Sequence, residues 1–91
     1  NSDRVKSHSI ETDIIETIVK LGKQTKDSQT MLNSATCLAH ITEVLHCNPE
    51  VASPDAIDFM IVMLQDAKNL NQYRQGCRYF ANLSFYKDFR D

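Results

Sequence analysis

The chain has 91 residues, 42% of them hydrophobic, with only two glycines and two prolines. That suits one small ordered domain and argues against both a flexible linker and a turn-rich all-β fold. Ten basic residues against twelve acidic ones leave a net charge of −2, so there is no basic field of the kind nucleic-acid binding needs to neutralise phosphates.

The opening stretch "NSDRVKSHSIE" is polar and has neither an apolar h-region nor a small-residue cleavage site, so it does not read as a signal peptide. Without an initiator Met, the chain is expected to be a segment of something longer. From Ile10, apolar residues at 10, 14, 15, 18, 19 and 21 have helical spacing. Gly22 is expected to end that helix as a left-handed C-cap. "KQTKDSQT" is a polar connector, and Asp27 or Ser28 is placed to cap a second helix. That helix carries Met31, Leu32, Ala35, Leu38, Ala39, Ile41, Thr42 and Leu45 on a wide apolar face. Pro49 stops it, because proline disfavours helix at the residue before it and lacks a donor.

Ser53-Pro54 then has the form of an N-cap followed by proline in the first helical position. The helix it opens, "PDAIDFMIVMLQDA", is apolar on nearly every side and is expected to be covered on more than one face. Its apolar run "AIDFMIVML" is about half a membrane span and is interrupted by Asp58, so no span is expected. "KNLNQ" leads to a last helix from about Tyr73 to Tyr86. Nothing alternates with a strand period. The fold class is all-α, two helix pairs joined by a short connection.

Cys37, Cys47 and Cys77 form no C-x-x-C and leave one thiol over under any pairing, which fits reduced cysteines and a cytoplasmic or nuclear location. Cys37 and Cys77 read as small apolar core residues. Cys37 and His40 share a helix face, but His46 and Cys47 are neighbours that diverge, so the set does not make a zinc site. Cys37 with His40 or Glu43 could imitate a nucleophile and base, yet no Gly-rich loop or nucleophile elbow accompanies them. No catalytic residue, metal or cofactor is expected. Asp55, Asp58, Glu11, Asp13 and Glu16 read as helix-start or exposed-face charges. Asn82-Leu83-Ser84 matches a glycosylation sequon, but in the middle of a helix. Six of the seven aromatic residues lie between Tyr73 and Phe89. Base stacking on them would also require a cationic groove, which is missing.

The two halves match without a gap at a period of 42. "TDIIETIVKLGKQTK" (12–26) lies over "PDAIDFMIVMLQDAK" (54–68), with Asp13 on Asp55, Ile15 on Ile57 and Lys26 on Lys68. "SATCLAHIT" (34–42) lies over "GCRYFANLS" (76–84), with Ala39 on Ala81, Leu38 against Phe80 and Ile41 against Leu83. On these residues the chain resembles the armadillo repeats and the related HEAT repeats. "DAIDFMIVMLQDA" looks like the second helix of an armadillo repeat, and "GCRYFANLS" and "SATCLAHIT" look like the third. "NPEVAS" stands where the short first helix would be. "YRQGCRYFANL" has the Arg before small residues that HEAT repeats favour.

The resemblance implies an armadillo-like right-handed superhelix, an α-solenoid fragment of stacked helical hairpins, with approximate repeats at 10–50 and 51–91 of one segment, 1–91. It implies a non-catalytic scaffold or adaptor that holds a protein or an extended peptide on its third helices, beside further repeats of its parent chain. Carried over by position, Asn82 matches the family's peptide-binding Asn and Arg78 takes the place of an aromatic four residues earlier. In the first repeat His40 and Thr36 occupy those places, and Tyr86 and Val44 lie one turn further on. With no Trp in the chain, basic nuclear-localisation signals are not the expected cargo. Tyr79, Tyr86 and Phe89 are expected to face a further repeat or a partner. Two other roles also follow from the resemblance: a structural spacer in a cytoskeletal, ciliary or coat assembly, and a regulatory domain of a larger effector.

Overall fold

A computed structural model describes residues 2–44 and 48–85, those from 2 to 9 by their backbone alone. Over these residues the chain is helical: α1 (Ser2–Gln24), α2 (Ser28–Val44), a 3₁₀ turn (Pro49–Ala52), α3 (Pro54–Gln65) and α4 (Leu70–Leu83). α1 packs on α2 and α3 on α4, giving two hairpins. The hairpins then stack, α1 over α3 and, most extensively, α2 over α4.

The caps explain where the elements start. Asp27 Oδ2 accepts from the Thr30 backbone N–H at 2.8 Å and from its hydroxyl at 2.7 Å, satisfying a donor that the first turn of α2 would leave open. These bonds lower the Asp27 carboxyl below its ordinary value. Ser53 Oγ accepts from Ala56 N–H at 3.2 Å with Pro54 directly behind it, as its sequence predicts. α4 starts earlier than its apolar spacing indicates. Asn69 Oδ1 accepts from Gln72 N–H at 3.0 Å while Gln72 Oε1 accepts from Lys68 N–H, a reciprocal box that fixes the helix start before Tyr73. Asn48 caps the 3₁₀ turn through Glu50 N–H and reaches α1 at Glu11.

Ile15, Leu38, Val51, Met60, Met63, Tyr79 and Leu83 are fully buried and form the centre of the core between the hairpins. The buried positions reveal a register that differs from the sequence match. Ile15 and Ala56, Val19 and Met60, Gly22 and Met63 are buried pairs 41 residues apart. So are Ala35 and Gly76, Leu38 and Tyr79, and Thr42 and Leu83. The offset is therefore 41 rather than 42. One residue of slip turns a helix by about 100°, which moves a side chain from the core to its edge.

The structure corrects several expectations. Cys37 and Cys77 are exposed, not core, whereas Tyr79 is enclosed, with its hydroxyl donating to Val51 O at 2.6 Å and its ring edge-on to Phe80 at 5.0 Å. α3 is covered by α1 on one flank and α4 on another, but not all round: Ile61 and Val62 are each 41% exposed. Gly22 is no left-handed cap: α1 continues through it to Gln24, and no described glycine has a positive φ. Gly22 is where α1 meets the Phe59 ring, and Gly76 is where α4 meets Leu64. A Cβ at either position would overlap the neighbouring side chain.

Candidate partner-binding face

The residues singled out on the two third helices lie around the α2–α4 junction, and the structure brings three of them together. Arg78 reaches from α4 to α2 and grips Glu43 with both arms of its fork, Nε to Oε1 at 2.5 Å and Nη2 to Oε2 at 2.8 Å. The same Nη2 faces His40 Nδ1 at 3.2 Å, and Nη1 donates to Gln75 Oε1 at 3.1 Å. Guanidinium can only donate, so Nδ1 is the acceptor and His40 keeps its ring proton on Nε2. Asn82 sits one turn beyond Arg78, half-buried, with its amide donating to Ala39 O at 3.3 Å and Thr42 Oγ1 at 3.0 Å.

Electrostatics follow from this contact list. The Arg78 hydrogen bonds bring the Glu43 carboxyl from 4.5 down to about 2, against the opposing effect of desolvation and with help from Asn82 and the Arg78 and His40 charges. Glu43 in turn raises the Arg78 guanidinium. The pair is solvent-facing, with side chains 32% and 40% exposed. It acts as a bidentate brace between hairpins at the rim of the junction.

Thr36 is separate from this group. It is half-buried and its hydroxyl donates to the Leu32 carbonyl one turn back in its own helix, at 2.8 Å. Tyr86 lies outside the described residues, as do His46 and Cys47. Nor do His40 and Asn82 hold equivalent places in the two hairpins. At the 41-residue offset His40 corresponds to Ala81, both exposed, and Asn82 corresponds to Ile41, both half-buried. Asn82 turns inward to α2 because it occupies a stacking position.

No family model, curated protein or solved structure matches this chain. What the face can do rests on its chemistry alone.

Glu43 and Gln75 are the members of the network that the sequence did not reveal, because their partner lies 35 residues away in one case and they have no motif in either. A second polar brace went unread for the same reason. Lys23 Nζ lies 3.2 Å from Asp55 Oδ1 and 3.3 Å from Asp58 Oδ2, tying α1 to α3, and these bonds raise the Lys23 ammonium. Beside it, a groove of about 420 Å³ opens between α1 and the start of α3, lined by Glu16, Lys20, Glu50 and Asp55 among others. Burial, with the nearby Glu16 and Asp55 charges, pushes the Glu50 carboxyl up. Among the described residues no three His, Cys, Asp or Glu side chains stand close enough to share a metal ion, and no helix is long and apolar enough to cross a membrane.

Proposed function

We propose that the chain is a non-catalytic protein-interaction segment, an armadillo-like pair of stacked hairpins that presents its α2–α4 face to an extended peptide of a protein partner. The observation that carries this reading is the common burial register of the two hairpins, which sets α2 and α4 side by side. The 3₁₀ turn at Pro49–Ala52 ahead of α3 and α4 is in keeping with a three-part armadillo unit, and the stacking of like helices, α1 with α3 and α2 with α4, supports a solenoid arrangement.

On this face the working groups are those with hydrogen-bonding capacity left for a ligand. His40 is exposed, and with Nδ1 facing Arg78 its Nε2–H is left to donate to a ligand; Arg78 and Asn82 hold the two helices at the spacing a peptide would meet. A peptide selected on the wild-type chain from a random display library is expected to lose about tenfold in affinity, ~1.4 kcal/mol, on His40→Glu, with the urea midpoint unchanged. Selected peptides that bind His40→Glu and Arg78→Ala chains as tightly as wild type would remove the face from consideration.

A structural-spacer role is the second reading. It is favoured by the engagement of Arg78 and Asn82 within the chain itself, which leaves them less to offer a ligand. The same selection separates the two, since a spacer yields no peptide that depends on His40.

A further inference from the structure

The two outer faces of the stack can be read against its one internal junction. At that junction α1 and α2 of the first hairpin receive the 3₁₀ turn, α3 and α4 of the second. The buried centre of the junction repeats within each hairpin, as the pairs above show, but its flanking residues have counterparts 41 positions away on surfaces that no part of the described chain covers. Val51, fully buried at the junction, corresponds to Ile10, which is 59% exposed. Phe59, which closes on Gly22, corresponds to half-buried Ile18.

The charged residues decide what could cover these faces. Where the junction pairs Lys23 with Asp55 and Asp58, the outer face of the second hairpin offers Leu64, and that of the first offers Ile14 and Thr17. Where it pairs Glu43 with Arg78, the outer faces offer Ser84 and the exposed thiol of Cys37. At both braces the charge disappears from both sides together. At these two places, bringing the outer faces into contact in the internal geometry would therefore bury no unpaired charge, which is what normally penalises an adventitious apolar contact. Ile14 is 50% exposed and Ala81, the counterpart of His40, is exposed, so neither face is closed by the described residues.

We infer that this chain associates head to tail with a second copy of itself, the outer face of the α3–α4 hairpin (Leu64, Ala81, Ser84) docking on the outer face of the α1–α2 hairpin (Ile10, Ile14, Cys37). The contact is heterologous and continues the internal stacking, so it does not close at two chains and produces a concentration-dependent series. The inference rests on the repeat register of the proposed function and not on its peptide-binding face.

Sedimentation of the purified chain, without any peptide, tests it through two end-blocked variants. Ile14→Glu blocks one outer face and Ala81→Glu the other, and both sit at exposed helical positions where circular dichroism can verify that the fold is kept. The wild-type chain is expected to form dimers and larger species as its concentration rises. Each variant alone stays at the mass of one chain, and an equimolar mixture gives a species of two chains and nothing larger, through the single intact pair of faces. A wild-type chain that is monomeric at the highest soluble concentration overturns the inference, as does association that survives either substitution or a mixture that remains monomeric. Failure here leaves the His40-dependent peptide selection unaffected, so the two readings fall separately.

Discussion

Glu43 holds its charge against the Arg78 fork on α4 and beside His40 on its own helix. Its carboxyl is depressed from 4.5 to about 2 in the folded chain. A carboxyl with a lowered folded value stabilises the fold fully above its unfolded value and loses that contribution as protons bind on the way down. The stabilisation by Glu43 is therefore complete above about pH 4.5 and disappears as the pH falls through about 2. Replacing Glu43 with Gln should flatten the fall in urea midpoint across that window, measured at a series of pH values, with wild type and variant converging at its acid end. Exposure of the pair keeps the effect salt-sensitive.

At the scale of single elements, local chemistry sets the helix starts. Ser53→Ala removes the acceptor for Ala56 N–H and should cost about 1 kcal/mol of stability in urea denaturation, while Pro54 continues to favour the first turn. This start was legible because a Ser-Pro pair carries its mechanism within two residues. The start of α4 was harder to read, because Asn69 and Gln72 are ordinary polar residues whose capping box shows only when Gln72 reaches back to Lys68. Helix faces were legible only to within one residue of rotation. The match at 42 rested partly on Asp13 with Asp55 and Lys26 with Lys68, all of them exposed. Surface identities do not set a register; the buried series does. Cys37 and Cys77 were read as core from their small apolar character alone, and Tyr79 as facing outward, although its burial is what anchors the 3₁₀ turn through Val51 O.

For the whole molecule, the all-α class and the pairing into hairpins follow from helical spacing and from the lack of any strand period. How the hairpins lock together does not. Both polar braces join residues more than 30 positions apart, and no local pattern announces an ion pair across a stack. Of the candidate face, the structure shows that His40, Arg78 and Asn82 converge where α2 meets α4. Which of them points outward depended on tertiary contacts.

Gly22 gives these scales a common consequence for the order in which the chain acquires its shape. Its helix-stop signal is real at the local level, since glycine costs about 1 kcal/mol relative to alanine inside a helix, and it is overridden where Phe59 closes on it. During synthesis α1 emerges before Phe59 exists, so its last turn, with Lys23 in it, should stay unwound until the second hairpin arrives. Docking would then wind the turn and form the Lys23 brace in one step. The same substitution should accordingly act with opposite sign in two contexts. Gly22→Ala in a peptide of residues 2–44 should raise helicity measured by circular dichroism, while in the whole chain the overlap with Phe59 should lower stability by about 1–3 kcal/mol. A glycine placed there makes the end of the first helix conditional on the second hairpin, an ordering in time written into a single missing methyl group.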